Sequence, residues 1–134
     1  MKLLFIFGVF LVNFSVFSQI SSNQISSIVS AIYKIEGGAK TKYPFGIKSI
    51  NTNGNYEKAR RICQNTVINN IKRFKLQNTY TNYFLFLADR YCPPSSDRQG
   101  NLNWRKNIQV ILGQEFIEKF HKDLKYIDTK SKKP

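Results

Sequence analysis

The sequence contains the stretch Ile35-Glu36-Gly37-Gly38, followed shortly by Tyr43-Pro44-Phe45-Gly46-Ile47, around which the rest of the chain is organised. Before it, apolar side chains recur at three- and four-residue steps, the pattern of an amphipathic helix: Ile25, Ile28, Val29, Ile32 and Ile35. Glu36 continues this stripe, so at about 100° per residue its carboxylate is predicted to point to the packed side. The two glycines after it are predicted to end the helix.

Glu36 is a candidate general acid. The adjacent glycines leave open space, so we expect its carboxylate to be partly desolvated and yet reachable by a ligand. Desolvation favours the protonated form of a carboxylic acid, and cleavage of glycosidic bonds is a common use for such an acid. The alternative interpretation is a glutamate at a fraying helix end that faces water.

Further stretches of the chain form a set with these two. The set consists of AIYKIEGG at 31–38, YPFGI at 43–47, ARRICQNT at 59–66, FLADRYCPP at 86–94 and NLNWRKNI at 101–108. It resembles a small family of lysozyme-like proteins related to lytic transglycosylases and found in bacteria and their phages. The resemblance implies a mainly α, small lysozyme-like helical domain with a short loop or β-hairpin as a cleft wall. It also implies that Glu36, matching the glutamate that closes an early helix, protonates the glycosidic oxygen.

The chain departs from the transglycosylase pattern after the glutamate. Transglycosylases usually carry a Gly-Leu-Met-Gln stretch that lines the cleft. The nearest match here is Phe45-Gly46-Ile47-Lys48, which lies closer to Glu36 than usual and lacks the glutamine. This departure leaves open a descendant that binds glycan without cleaving it.

Residues 1–18 have the pattern of a secretory signal peptide. Lys2 gives a positive start, residues 3–12 are almost wholly apolar, and Val16-Phe17-Ser18 resembles a cleavage site. The apolar run of about 15 residues is short for a membrane span of about 20. We therefore predict a secreted or periplasmic protein without a stable membrane anchor. The rest is predicted as one lysozyme-like domain over 19–128 and a basic disordered tail over 129–134.

Cys63 and Cys92 form an even pair in a chain predicted to be exported, where disulfides persist. A bridge would tie the predicted second helix to the end of the third, and we predict that it forms. The alternative is two buried thiols that act as small apolar residues. The only histidine, His121, lies in the charged C-terminal region, so neither a catalytic cysteine nor a zinc site is predicted. No metal or cofactor is expected.

The remaining helices follow from apolar periodicity and capping residues. A second helix is predicted from Asn55 to about residue 74, and a nearly all-apolar, central third helix over 81–91, ended by Pro93-Pro94. Residues 95–101 are predicted as a polar, mobile loop, with Asn103 capping a fourth helix that can extend beyond residue 115. Between the first two helices, residues 43–50 are predicted as a short extended segment or hairpin.

Several residues are candidate sugar contacts, and each also has a packing interpretation. Tyr43 and Phe45 could line the cleft or cover the core, and Trp104 could stack on a sugar ring or belong to the core. Asn65 could bind a polysaccharide or hold a loop in place. The Tyr91 hydroxyl could face the cleft.

The charge of the chain indicates polyanionic partners. The formal net charge is +13, and removal of Lys2 with the signal peptide lowers it by only one. A basic exported protein is attracted to the anionic bacterial cell-wall surface. Nucleic acid fits equally well on charge alone, but export argues against it as the normal partner.

The sequence therefore predicts a monomeric enzyme that cleaves peptidoglycan glycan strands. It would act as a glycosidase or lytic transglycosylase on the linkage between N-acetylmuramic acid and N-acetylglucosamine, with Glu36 as its single catalytic carboxylate. No second carboxylate is well placed, and Asp89 is expected to pair with a neighbouring arginine. The alternative is a non-catalytic, secreted, basic wall-binding or effector protein that retains the fold.

Overall fold

The computed structural model describes residues 20–131, with side chains through residue 125. In that range the chain forms five α-helices, one 3-10 turn at Gly38–Lys40 and no strand. The mainly α prediction is therefore confirmed, and the segment at 43–50 is an irregular loop rather than a hairpin. The helices are α1 (Ser22–Ile35), α2 (Tyr56–Leu76), α3 (Tyr83–Tyr91), α4 (Arg98–Leu112) and α5 (Gln114–Ser131).

The first two helices begin and end where the sequence predicts. Ser21 caps α1 in a capping box with Gln24, and Glu36 is its C-terminal cap. Gly37 then adopts a left-handed conformation with φ 88°, which favours glycine and turns the chain away from the helix axis. The Asn55 side chain caps α2 by accepting a hydrogen bond from the backbone N–H of Lys58.

The start of α4 differs from the prediction. The Asp97 side chain accepts a hydrogen bond from the backbone N–H of Gly100, so the helix begins at Arg98 and Asn103 lies inside it. Much of the predicted mobile loop at 95–101 is thus helical. Gly113, at φ 82°, separates α4 from α5, whereas the sequence allows one continuous helix here.

The predicted terminal segments lie largely outside the residues that the structure describes. Helix α5 reaches Ser131, so residues 129–131 of the predicted disordered tail are helical, and residues 132–134 lie outside the described residues. The predicted signal peptide at 1–18 also lies outside them. Within the described part of the chain, no helix combines the length and apolarity needed to cross a bilayer.

The short helix α3 lies at the centre of the fold, as its apolar sequence predicts. Tyr83, Phe84 and Leu87 are fully buried. Phe120 of α5 packs on Tyr83 and Phe84, with ring centroids 5.1 and 5.2 Å away. Helix α1 packs against both α2 and α4, so its C-terminal end at Glu36 faces α4.

Candidate active site around Glu36

The Glu36 carboxylate lies between two other parts of the chain. Its Oε1 atom accepts a hydrogen bond of 2.9 Å from the Trp104 indole N–H, which joins the end of α1 to α4. On its other side lies Gly46 of the loop between α1 and α2. A Cβ atom on Gly46 would come within 2.5 Å of Glu36 Oε2, so only glycine allows this close approach. Glu36 is half-buried, which contradicts the interpretation of a glutamate that simply faces water.

The glycines of the opening stretch shape the chain around this carboxylate. Gly37 and Gly38 have φ angles of 88° and 53°, and a side chain on Gly38 would collide with the Tyr33 ring. The loop therefore turns back over the end of α1. Gly46, at φ 72°, then brings its backbone against the carboxylate.

Trp104 connects Glu36 to a wall of neutral side chains. Its ring stacks on Tyr91 at a centroid distance of 5.3 Å and an interplanar angle of 18°. The Tyr91 hydroxyl lies 3.5 Å from Cys63 Sγ. Burial raises the pKa of Tyr91, and burial likewise raises the pKa of Cys63 to about 11, so both side chains are neutral near pH 7.

The predicted disulfide is not formed, because both cysteines are free in the structure. Cys63 is fully buried and its sulfur faces the Tyr91 hydroxyl. The Cys92 sulfur instead faces the carbonyl oxygen of Asp97, at 3.8 Å. Cys63 is thus a small buried residue with a free thiol, as in the alternative interpretation.

Asp89 pairs with an arginine, as expected, and its partner is Arg105 at 2.7 Å. Tyr80 and Asn101 also donate hydrogen bonds to this carboxylate. Burial alone would favour the neutral acid, but the hydrogen bonds from Arg105, Tyr80 and Asn101 hold the pKa of Asp89 below its ordinary value. Asp89 is thus an ionised, structural carboxylate that joins α3 to α4.

The predicted sugar contacts divide into buried and exposed groups. Phe45 and Trp104 are only 2% and 5% exposed, which favours their packing interpretation. Asn65 is exposed on α2, about 200° around the helix from the buried Cys63. The structure thus brings Trp104 and Tyr91 to Glu36, but it places Asn65 on another face.

Tyr43 belongs to a cavity that the sequence did not predict. This cavity, of about 640 Å³, is bordered by the loop between α1 and α2 and includes Tyr33 and Tyr56 in its lining, whereas Glu36 is not among its lining residues. Both tyrosines lie next to residues that the sequence singles out, because Tyr33 is on the helical turn before Glu36 and Tyr56 directly follows the Asn55 cap. We call this space between the tyrosines and the loop the tyrosine cavity.

Within the described residues, no three histidine, cysteine, aspartate or glutamate side chains cluster in a way that could hold a metal ion. Comparisons with protein-family models, with curated proteins and with solved structures returned no match.

Proposed function

We propose that this protein cleaves the peptidoglycan linkage between N-acetylmuramic acid and N-acetylglucosamine, with Glu36 as its single catalytic carboxylate. The observation that carries the proposal is the setting of Glu36 at the end of α1. Trp104 and Gly46 fix the carboxylate on two sides. In the described part of this strongly basic chain, no lysine or arginine forms an ion pair with it. A glutamate side chain fixed in this way can serve as general acid and general base towards a bound glycan.

Glu36 would act in both halves of the reaction. As general acid it gives its proton to the bridging oxygen, and the glycosidic bond breaks as charge develops on the muramic acid ring. As general base it then takes a proton from the attacking hydroxyl group. Attack by water gives hydrolysis, whereas attack by the 6-hydroxyl of the same muramic acid gives an anhydro product.

Two other carboxylates near this end of the fold already have structural roles. Asp89 is held by Arg105, and the Asp97 side chain caps α4. These roles favour a mechanism with one carboxylate over the pair that is common among glycosidases.

The wider context of the proposal comes from the sequence. A helix that ends on a glutamate, followed by an irregular loop and further helices, fits the resemblance to lysozyme-like proteins. The leader pattern at 1–18 and the net charge of +13 fit an exported protein that meets an anionic wall.

A second candidate function is wall binding without catalysis. The observation that favours it is the same hydrogen bond between Trp104 and Glu36, because such a bond can also serve only to join α1 to α4. A protein of this kind would keep its affinity for the wall without breaking a glycosidic bond.

The test is digestion of purified peptidoglycan by the wild type, by Glu36→Gln and by Glu57→Gln as a matched control. Glu57 is exposed in the first turn of α2, so its substitution removes one acidic charge away from the proposed site. We expect mass spectrometry to detect muropeptides from the wild type and Glu57→Gln, but none from Glu36→Gln. An anhydro end would identify a transglycosylase. If no variant releases fragments from several wall types, catalysis is excluded, and retained wall binding would favour the second candidate.

A further inference from the structure

We propose that the tyrosine cavity binds an N-acetylated amino sugar, as a glycan-binding site separate from Glu36. The cavity volume of about 640 Å³ falls within the roughly 300–1,000 Å³ of small-ligand sites. Its lining combines the rings of Tyr33, Tyr43 and Tyr56 with the amides of Asn51 and Asn55 and with one charged residue, Lys42. The choice of an amino sugar rests on the proposed function, whereas the existence of a sugar site rests on this lining.

Two of the tyrosine rings in the lining are fixed by packing on the buried Phe45. Tyr33 and Tyr56 meet edge to face at 5.7 Å, and both rings pack on the buried Phe45, at 5.1 and 5.6 Å. Tyr56 nevertheless stays 45% exposed. A fixed aromatic ring with an accessible surface can bind the apolar C–H face of a sugar without loss of side-chain entropy.

The polar part is oriented by the backbone of the loop. Asn51 Oδ1 accepts a hydrogen bond from the Asn53 N–H, and Asn55 Oδ1 accepts one from the Lys58 N–H. Because these oxygens are occupied, each amide offers its amino group, and neither amino group has a hydrogen-bond partner within residues 20–125. Such donors suit the hydroxyl and acetamido oxygens of an N-acetylated sugar.

The same loop forms the cavity and reaches Glu36. Tyr43 and Pro44 line the cavity, whereas Gly46, two residues later, lies against the Glu36 carboxylate. Sugar bound in the cavity would therefore hold a loop whose other side contacts the proposed catalytic group. This continuity favours glycan as the occupant.

The experiment titrates ¹⁵N-labelled Glu36→Gln protein with chitotetraose, the tetramer of N-acetylglucosamine, and with cellotetraose as the matched sugar without acetamido groups. The Glu36→Gln background prevents cleavage of the probe. We expect chitotetraose to shift the backbone amide signals of Thr41 and residues 51–56, and cellotetraose to bind at least about tenfold more weakly. A tenfold difference in affinity between the two tetramers corresponds to about 1.4 kcal/mol in binding free energy.

Variants then test the lining residues. In the same background, Tyr56→Ala should weaken chitotetraose binding about tenfold, whereas Tyr56→Phe, which keeps the ring, should change it less than about twofold. Leu102→Ala removes a side chain that is 50% exposed on α4 and serves as the control with unchanged affinity. If Tyr56→Ala fails to fold, Asn53→Gly replaces it, because glycine tolerates the positive φ of 51° and removes only the side chain.

Each outcome decides between the two proposals. Shifts confined to other surfaces, or equal affinity for both tetramers, overturn the inference even if the wild type cleaves peptidoglycan. Shifts in the tyrosine cavity without any muropeptide release support the inference while the proposed catalytic function fails.

Discussion

Gly46 controls how closely the loop between α1 and α2 can approach Glu36. Its φ of 72° nearly equals the 74° of Gly54, so alanine at either position suffers similar backbone strain. Only at Gly46 would the new Cβ atom also meet the carboxylate, whereas around Gly54 there is open space. The two glycines are therefore a natural pair for separating collision from strain.

We expect Gly46→Ala to lower the free energy of unfolding by about 1–3 kcal/mol more than Gly54→Ala does. Urea denaturation of both variants measures the difference. Equal losses would show that the loop moves away from Glu36 at little cost.

The hydrogen bond between the Trp104 indole and Glu36 joins α4 to the end of α1 and is expected to stabilise the fold. Trp104→Phe keeps an aromatic ring on Tyr91 but removes the indole N–H, and Glu36→Ala removes the acceptor. In a double-mutant cycle, we expect a coupling free energy of about 1 kcal/mol between these substitutions, because a typical intramolecular hydrogen bond contributes about this much. Additive losses measured by urea denaturation would mean that the bond does not contribute to stability.

For single residues, the sequence predicts the position of Glu36 at the end of α1 but not its surroundings. Glu36 follows an apolar stripe and precedes two glycines, which is a local signal. Trp104 lies 68 residues away along the chain, and no local pattern pairs its indole with a particular carboxylate. The sequence therefore predicts sugar stacking or core packing for the ring, whereas in the structure the indole N–H group contacts Glu36.

Among the elements, the boundaries of α1 and α2 are predictable because each has a strong capping residue beside a clear apolar stripe. The start of α4 is not, because two residues, Asp97 and Asn103, could both cap it. Asn101 lies between them and is buried, but as a polar residue it adds nothing to the apolar pattern. Its amide bonds Asp89 and the Cys92 carbonyl, contacts that only the folded chain reveals.

The junction of α3 and α5 makes stability depend on pH. His121 Nε2 accepts a hydrogen bond from the Tyr83 N–H at the start of α3. Burial, followed by the charge of Lys125, lowers the pKa of His121 below its ordinary value of 6.5. Between the lowered and the ordinary pKa the unfolded chain binds more protons, so His121 contributes its full stabilisation above about pH 6.5 and loses it as the pH falls.

We therefore expect the urea midpoint of the wild type to fall as the pH is lowered from about 7 to about 5. His121→Gln, which keeps a possible acceptor but does not titrate, should show a flatter profile over this range. Because the sequence has no other histidine, parallel profiles would exclude His121 as the origin of the dependence.

For the whole molecule, two kinds of glycan recognition should respond differently to salt. A formal charge of +13 would attract the protein to the proposed anionic wall polymers over distances that ionic strength screens. The sugar proposed for the tyrosine cavity is neutral and would be recognised through rings and amides.

We expect binding to whole peptidoglycan sacculi, measured by co-sedimentation, to weaken at least severalfold between about 0.05 M and about 0.5 M NaCl. Chitotetraose affinity should change less than about twofold over the same range. Similar salt sensitivity for both ligands would show that charge, rather than the cavity, dominates sugar recognition.

The hydrogen bond between Gln24 of α1 and Asp123 of α5 joins residues that are 99 positions apart in the chain. Phe120, on the same last helix, covers the central rings of Tyr83 and Phe84. The early helices can thus form first, but the core cannot close until α5 packs against them. A chain that lacks α5 would leave the rings of Tyr83 and Phe84 without this cover and expose apolar surface.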